Sequence, residues 1–282
     1  MFVFSGQGSQ WVGMGGGLLG ERVFVEHVRA VGEALGPFVD FDLLDVLGGS
    51  GGLGEGVLGR VEVVQPALFA VSTGLACVWE SWGVVPDAVV GHSQGEIAAA
   101  YVAGVLSLED AARLVAVRSR VIGEFAPEGA MAHVALPVEV VRAELGSQAG
   151  LAGRVEVAAV NGPGSTIVSG DRVCVEGLVA GFGGRGVRAR VLPVSYASHC
   201  AHMDVLGSRV DEAVGRVSPG SARVPFYSTV VGGVVAGEEL GGGYWQRNLR
   251  SPVRFAETVE GLLDAGFRRF VEVSAHPVLT SA

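Results

Sequence analysis

Ser93 lies at the centre of the segment Val89–Glu96, which reads VVGHSQGE. Apolar residues precede it and the helix-forming run EIAAAYVAGV follows it. A Gly-x-Ser-x-Gly sequence between a strand and a helix is typical of a nucleophile elbow, which exposes the serine hydroxyl on a sharp turn. Ser93 is therefore the candidate nucleophile, and the competing interpretation is a structural N-cap serine. The backbone N–H of Gln94 is the expected oxyanion donor.

A serine hydroxyl is a weak nucleophile without a neighbouring base, and the base is sought among six histidines. His199 and His202, in SYASHCAHMD between a predicted strand and a predicted helix, are the better candidates, and spacing does not choose between them. The elbow residue His92 is expected to point away from the serine. The others are expected on a helix surface (His27), in a strand (His133) and in a structural turn (His276).

The pair His199 and His202 flanks Cys200, which raises the possibility of a zinc site. Zinc sites usually combine two such pairs, and the sequence has no second ligand cluster with matching spacing. The interpretation is therefore that the protein binds no metal. GQGSQW, after the predicted first strand, is also interpreted as a turn, because Trp11 occupies the third-glycine position of a dinucleotide motif. GFGGRG (181–186) matches that motif but follows a helix and precedes a strand, so it too is interpreted as a turn.

Arg118, in LVAVRSRVIGE, lies on the second predicted helix after the elbow. Spacing alone favours a solvated helix face shared with Arg113 and Arg120. The alternative is a guanidinium fork that binds a carboxylate. Both interpretations stay open at this stage.

Composition excludes several classes of function. The formal net charge of −9 over 282 residues argues against a nucleic-acid partner. All 20 basic residues are arginine, so Schiff-base chemistry and a Walker A loop lack their lysine. No apolar run of the roughly 20 residues that cross a bilayer is evident, so no membrane partner is expected. The three widely spaced cysteines favour a reduced, cytoplasmic setting.

Strands and helices alternate in the elements that must position these residues, which predicts a parallel α/β sheet. The first part has strands at 2–4 and 87–91, and helices at 23–35, 63–83 (after a turn, with Pro66 at its first position), 93–103 and from Ser107 to about Phe125. The middle follows a β-α-β-β-α-β order ending in a strand at 187–194, which is typical of a ferredoxin-like unit. The last part has helices at 202–216 and 252–266, and strands near 224–235 and at 267–274. The predicted divisions are 1–127 and 195–282 for a large α/β subdomain, and 128–194 for a small inserted one.

Several motifs occur together in a fixed order: GQGSQ, QPAL, GHSQGE, RSR, SYASHCAHMD, WQRNLRSPVRF and VEVSAHPVL. In this order they resemble the acyltransferase domain of modular type I polyketide synthases, which is related to malonyl-CoA:acyl-carrier-protein transacylases. The resemblance covers essentially the whole chain, which looks like an excised domain. It implies an α/β-hydrolase-like large subdomain with an inserted ferredoxin-like small one, in agreement with the β-α-β-β-α-β order.

The resemblance also implies a Ser–His dyad and a ping-pong reaction. It makes Ser93 the nucleophile and His199 the general base and then acid, oriented by backbone carbonyls around 251–254. The oxyanion hole maps to the N–H of Gln94, with Gln7 nearby. Arg118 matches the arginine that pairs with the free carboxylate of the acyl donor, and Gln65 matches a pocket residue.

Three segments resemble the methylmalonyl-type signature: RVEVVQ (60–65), Gln94 within GHSQG, and YASH (196–199). Tyr196 and Ser198 are the implied specificity residues, because malonyl-type domains typically have HAFH there. A serine in place of the phenylalanine leaves room for an α-methyl branch. Such a difference is worth about 1–3 kcal/mol, so ethylmalonyl and other branched units stay possible.

The implied partners are an acyl carrier protein, an acyl-CoA donor and neighbouring synthase domains, and no cofactor is expected. Three departures from the family pattern are Ser5, His133 and Ala275, where the first and last replace the usual prolines. An α/β serine hydrolase or thioesterase is the main alternative, although it would need Ser, Asp or Glu, and a late His in that order. A catalytically inactive docking domain is the other.

Overall fold

A computed structural model describes residues 1–49, 56–214 and 217–280. Its helices are α1 (Arg22–Leu35), α2 (Leu43–Gly48), α3 (Val61–Ser81), α4 (Gly95–Val102), α5 (Leu108–Phe125), α6 (Val138–Ser147), α7 (Arg172–Gly184), α8 (Gly207–Val214), α9 (Gly242–Arg250) and α10 (Phe255–Asp264). Its strands are β1 (Phe2–Phe4), β2 (Val89–Gly91), β3 (Ala130–Val134), β4 (Val155–Gly162), β5 (Ser165–Gly170), β6 (Ala189–Val191), β7 (Phe226–Ser228), β8 (Gly233–Val235) and β9 (Val271–Glu272).

The larger sheet has the strand order β8-β7-β2-β1-β9 and contains the elbow strand β2 near its centre. The pairs β7–β2, β2–β1 and β1–β9 are parallel, and β8 is antiparallel to β7. Each of β1 and β2 is buried along its whole length, as expected of strands covered on both faces. The predicted parallel sheet is confirmed.

The long helix α3 forms the centre of the helical core and packs against α1, α4 and α5. The prediction that no apolar run reaches the length of a membrane span was wrong, because α3 is long and apolar enough to cross a membrane. However, 83% of its most apolar window is buried inside the protein. Its burial therefore makes it a core helix. The prediction that Pro66 stands at its first position was wrong, because the helix begins at Val61 and Pro66 lies inside it. Pro66 has no N–H to donate to the carbonyl of Glu62, so the helix continues past this position with one backbone hydrogen bond fewer.

The smaller sheet has the order β4-β5-β3-β6 and is antiparallel throughout. With α6 and α7 between its strands, it is the predicted ferredoxin-like unit. Ala132, Val134 and Val168 pack under the two helices, and the opposite face, with Ile167 and Met131, packs toward the larger sheet. The division at residues 127/128 and 194/195 stays a prediction.

Several elements are shorter than their apolar patterns predict. The helix after the elbow begins at Gly95 rather than 93, because Ser93 has a left-handed φ of 55° that a helix cannot include. The strand expected at 187–194 is reduced to β6, since Pro193 has no N–H for the ladder. The segment expected as one helix from 202 is a 3₁₀ turn (Ala201–Leu206) followed by α8. The helix expected at 252–266 is α10, and the strand expected at 267–274 is β9, each shorter at both ends.

Two helices, α2 and α9, were not predicted from the sequence. The second is amphipathic and has glycine at its first two positions, which weakens the helical signal. It matters for the site, because it contains Asn248 and precedes the carbonyl of Ser251.

Candidate active site

The segment between β2 and α4 has the geometry of a nucleophile elbow. Ser93 stands at the turn with φ of 55°, a region that costs energy for any residue with a Cβ. A Cβ added to Gly91 would lie 2.3 Å from the Cα of Glu96, and one added to Gly95 would lie 2.3 Å from the carbonyl oxygen of Phe4. Both motif glycines are therefore required for the close approach of the turn to the sheet.

Ser93 and His199 form a hydrogen-bonded dyad. Ser93 Oγ lies 2.7 Å from His199 Nε2, and His199 Nδ1 lies 2.9 Å from the carbonyl oxygen of Ser251. A carbonyl oxygen can only accept a hydrogen bond, so Nδ1 carries the hydrogen and Nε2 is the free base facing the serine. The histidine is thus oriented by a backbone carbonyl, within the segment that the sequence indicated.

The alternative base, His202, lies outside this site. Its Nε2 is 2.9 Å from Asp171 Oδ1, and the pair lies next to the small sheet. Across the described ranges, no group of three or more His, Cys, Asp or Glu side chains is arranged to hold a metal ion. Of the two candidates that spacing left open, the structure therefore places His199 beside the serine.

Burial sets the protonation state of the dyad. His199 is 3% exposed, and burial lowers its pKa to about 3, against the carbonyl of Ser251, which raises it. The imidazole is consequently neutral at physiological pH, which is the state a general base needs. His199 also has a left-handed φ of 61°, fixed in part by its N–H donating to the carbonyl of Leu249 at 3.0 Å.

Arg118 is buried, so the solvated helix face that spacing favoured was wrong. It is 1% exposed, whereas Arg120, two residues on, is exposed. Ala111, Leu114, Arg118 and Ile122 follow the buried stripe of α5, and that stripe is the signal that could have identified it. Arg118 donates from one terminal nitrogen to Gln65 Oε1 at 3.0 Å and from the other to Asn248 Oδ1 at 3.3 Å.

The buried guanidinium has amide partners but no carboxylate partner. Among the described residues, its Nε has no hydrogen-bond acceptor and no Asp or Glu forms an ion pair with it. Burial lowers the pKa of Arg118 to about 10, so the side chain is still a cation at neutral pH. The buried carboxyl of Glu96 acts on the guanidinium from a distance and raises its pKa, and Asn248 bridges the two side chains. A buried cation with no carboxylate in direct contact can accommodate an anionic group.

Gln7, Gln65 and Tyr196 form a connected polar wall beside the dyad. The Tyr196 hydroxyl donates to Gln7 Oε1 at 2.9 Å, and Gln65 Nε2 donates to the same oxygen at 3.4 Å. With its oxygen engaged twice, Gln7 has its Nε2 hydrogens left for an acceptor in the cavity. Burial raises the pKa of Tyr196 to about 12, so its hydroxyl keeps the proton that it donates.

One cavity brings the predicted site residues together. It has a volume of about 190 Å³ and is lined by Gln7, Gln65, Ser93, Gln94, Arg118, Tyr196, Ser198 and His199. Ser198 Oγ lies 3.3 Å from Met131 Sδ, so these two side chains border the same part of the cavity. The small sheet contributes to the walls through Met131 and Ile167, and the loops that follow β1 and β2 contribute Gln7 and Ser93.

Two polar residues of the site were missed. Glu96 is 0% exposed, and its carboxylate accepts from Thr229 N at 2.6 Å, Thr229 Oγ1 at 2.8 Å, Tyr244 OH at 2.5 Å and Asn248 Nδ2 at 2.9 Å. Asn248 also donates to the carbonyl of Ser93 at 3.1 Å. A carboxylate that opens the run EIAAAYVAGV was a signal of buried polarity, since the rest of that helix is apolar.

The remaining histidines lie outside the dyad. His92 points away from Ser93 as predicted, with its Nε2 2.8 Å from Asn161 Oδ1, and His133 on β3 is half-buried beside Ser165. The prediction that His27 lies on the surface was wrong, because its Nε2 is 2.8 Å from Thr73 Oγ1 between α1 and α3. The side chain of His276 is exposed, and its carbonyl accepts from Ser274 Oγ.

The departures Ser5 and Ala275 lie near the loop that contains Gln7. Ser5 is buried, and its Oγ has no hydrogen-bond partner within the described residues. The carbonyl of Ala275 accepts from Trp11 Nε1 at 3.2 Å. Neither replacement contacts the dyad.

An α/β protein with a serine elbow, a neutral histidine base and a buried arginine in one cavity has the parts of an acyl-transferring enzyme. The sequence model of the acyl transferase domain matches residues 1–282, and the chain belongs to that family. It is similar to the pikromycin polyketide synthase component PikAII of Streptomyces venezuelae, with 51% identity over 286 residues, and to erythronolide synthase EryA2 of Saccharopolyspora erythraea, with 47% over 283 residues. These alignments cover 100% of this chain but only 7% and 8% of the two relatives.

Solved structures have the same fold. The acyltransferase domain from module 8 of the salinomycin polyketide synthase aligns with a TM-score of 0.94 and 48% identity, over 99% of this chain and 65% of that chain. FabD from Acinetobacter baumannii aligns with a TM-score of 0.89 and 31% identity, over 99% of this chain and 88% of that chain. The resemblance found in the motifs and the predicted fold class are both confirmed.

Proposed function

We propose that this acyltransferase loads a malonyl-type extender unit from CoA onto Ser93 and transfers it to the phosphopantetheine thiol of an acyl carrier protein. The observation that carries the proposal is the 2.7 Å contact between Ser93 Oγ and His199 Nε2 in a cavity that also contains the buried Arg118. The route is a ping-pong reaction with a covalent acyl-enzyme.

In the first half-reaction, Ser93 Oγ attacks the thioester carbonyl while His199 Nε2 takes its proton. The carbonyl electrons move to oxygen, where the N–H of Gln94 and the Gln7 amide are the proposed donors. Collapse breaks the C–S bond, and the imidazolium gives its proton to the departing CoA thiolate. Because burial disfavours the charged imidazole, His199 returns this proton readily.

In the second half-reaction, the thiol of the carrier protein takes the place of CoA. His199 removes its proton, the thiolate attacks the acyl-enzyme, and collapse breaks the ester bond to Ser93. The proton then returns from the imidazolium to Ser93 Oγ. Both halves balance through the dyad alone, so the proposal includes no cofactor, and the carrier protein and neighbouring synthase domains are the proposed partners.

Arg118 is the proposed partner of the free carboxylate of the acyl donor. It presents a planar fork of donors at the cavity, which matches a carboxylate with two oxygens. Binding there supplies a carboxylate in direct contact with the guanidinium and fixes the acyl group relative to Ser93. It selects dicarboxylic acyl units over simple ones.

Methylmalonyl-CoA is the proposed preferred donor. Ser198 and Met131 border the cavity, and a serine there occupies less space than the phenylalanine of the malonyl-type motif. Extra space for one methyl group is worth about 1–3 kcal/mol, so the preference is moderate.

The geometry favours transfer over the two alternative functions. In a serine hydrolase triad a carboxylate would orient the histidine, whereas His199 Nδ1 contacts the backbone carbonyl of Ser251. In an inactive docking domain the contact between Ser93 and His199 would have no purpose. The cytoplasmic setting stays a prediction.

Intact-protein mass spectrometry tests the proposal. The protein is mixed with equimolar malonyl-, methylmalonyl- and ethylmalonyl-CoA, and a carrier protein is added afterwards, with Ser93→Ala as the matched control. A methylmalonyl adduct that requires Ser93 and is discharged onto the carrier is the expected result. A different acyl adduct would overturn the donor preference alone, discharge only to water would favour a hydrolase, and no adduct would favour a docking domain.

A further inference from the structure

A second cavity opens on the small sheet beside the active-site cavity, and its charged lining is basic. Its volume is about 650 Å³, and Arg188, Arg190 and His133 form part of its wall. No Asp or Glu from the described ranges lines it. In a chain with a net charge of −9, a local excess of positive charge facing a cavity indicates an anionic ligand.

Strand register explains why these side chains share one face. The edge strand β6 pairs with β3 so that Arg190 lies opposite His133. Successive side chains of a strand point to opposite faces, and Ala189 packs with the cluster under α6 and α7. Arg188 and Arg190 therefore project from the other face, and the bond from Ala135 N to the Arg188 carbonyl, at 2.9 Å, extends the pairing.

The two arginines are available for a ligand. Both are exposed, and neither forms an ion pair within the part of the chain that the structure describes. Three of the four other arginines of the small unit are paired with a carboxylate: Arg154 with Asp171, Arg172 with Glu128, and Arg185 with Glu144. The fourth, Arg142, lies on α6, away from the cavity. The cavity thus presents two cations that the fold does not neutralise.

The two cavities are contiguous. Asn161, Ile167, Leu192 and Val278 line both of them. The path from Ser93 to the arginines consequently runs along the face of the small sheet that contains Ile167. A ligand that occupies both cavities would contact Ser93 in one and the two arginines in the other.

We propose that Arg188 and Arg190 bind the phosphate at the end of the phosphopantetheine arm, an inference that rests on the function proposed above. In an acyl-CoA this group is part of a diphosphate, and on a carrier protein it is a phosphodiester. Both substrates of a ping-pong reaction present the same arm to the same serine, so one phosphate site serves both half-reactions. Arginine suits this role, because its fork donates two hydrogen bonds to phosphate oxygens.

The test compares donors with and without the phosphate. The protein and its Arg188→Gln/Arg190→Gln variant are acylated with methylmalonyl-CoA and with methylmalonyl-pantetheine, and kcat/KM is measured for each. We expect a loss of about tenfold or more with the CoA donor, and little change with the pantetheine donor, because hydrogen bonds to charged groups are individually strong. The loss should shrink at high salt.

A matched control and a second half-reaction complete the design. Arg142→Gln removes an exposed arginine from α6, on the other face of the small sheet. It should change kcat/KM for neither donor. The acyl-enzyme is then discharged onto a carrier protein or onto free pantetheine. In the double variant, only the transfer to the carrier protein should become slower.

Each other outcome overturns the inference. Equal losses with both donors would make the arginines structural, and no loss would leave them without a role. A loss confined to acyl-CoA would assign the site to the donor alone and exclude the shared site. If the unaltered protein is acylated by neither donor, the proposed function itself fails, which is distinguishable from these results.

Discussion

At the scale of single residues, Arg118 has the surroundings that its proposed role in choosing the acyl group requires. It is a buried cation whose partners are the amides of Gln65 and Asn248, and its Nε is unpaired within the described residues. Neutral amides orient the guanidinium without cancelling its charge. The arrangement therefore suits the proposed binding of a substrate carboxylate.

Arg118→Ala should reduce kcat/KM with methylmalonyl-CoA by about 10- to 100-fold, the range expected for charged hydrogen bonds. Propionyl-CoA has no free carboxylate, so its kcat/KM should change little. Steady-state kinetics with both donors make the comparison, and Arg120→Ala, on the exposed side of the same helix, is the control. Equal losses with both donors would reduce Arg118 to a structural residue.

At the scale of elements, a buried carboxylate connects the turn from β2 to α4 with neighbouring elements through hydrogen bonds. Glu96 connects α4 to Thr229 after β7 and to Tyr244 and Asn248 on α9. Asn248 then contacts the carbonyl of Ser93 and the guanidinium of Arg118. Glu96 is thus a positioning residue that ties three elements to the elbow.

Glu96→Ala should lower the free energy of unfolding by roughly 3–5 kcal/mol, because it leaves several buried donors without an acceptor. Chemical denaturation measures the change. Glu109→Ala, which removes an exposed carboxylate from the first turn of α5, is the control and should have little effect. A loss near that of the control would show that the donors find other acceptors.

At the scale of the whole molecule, buried histidines should make stability depend on pH. Burial lowers the pKa of His27 to about 4 and that of His199 to about 3, from a usual value of 6.5. Below pH 6.5 the unfolded chain binds protons that the folded chain does not. The free energy of unfolding should therefore fall as the pH decreases from 6.5 toward 4.

His27→Gln should reduce this slope, since it removes one of the groups that take up a proton on unfolding. Denaturation curves at several pH values between 4 and 7.5 measure it, and His276→Gln, at an exposed position, is the control. An unchanged slope in His27→Gln would contradict the assignment of His27 as a buried neutral base.

Periodicity and motif order predicted the fold and most of the site, and the errors have a common physical cause. Local patterns identified β1, β2, α1, α5 and the small unit, because their apolar residues repeat with one clear period. They did not identify Arg118 and Glu96 as buried, because a charged residue is expected to be exposed unless its tertiary partners are known. Asn248 was missed because its role depends on α9, whose glycines hide the helix.

The segment after α9 has a consequence for engineering by subdomain exchange. Ser251 supplies the carbonyl that orients His199, and two residues later Val253 pairs with β4 of the small sheet, through Val253 N to Ala158 O and Val160 N to Val253 O, each 2.9 Å. A chimaera that imports a foreign small unit to change substrate choice must reproduce these two backbone bonds. Graft boundaries chosen from the sequence alone would not take these two hydrogen bonds into account, and the imported unit would then change the orientation of His199, the proposed catalytic base.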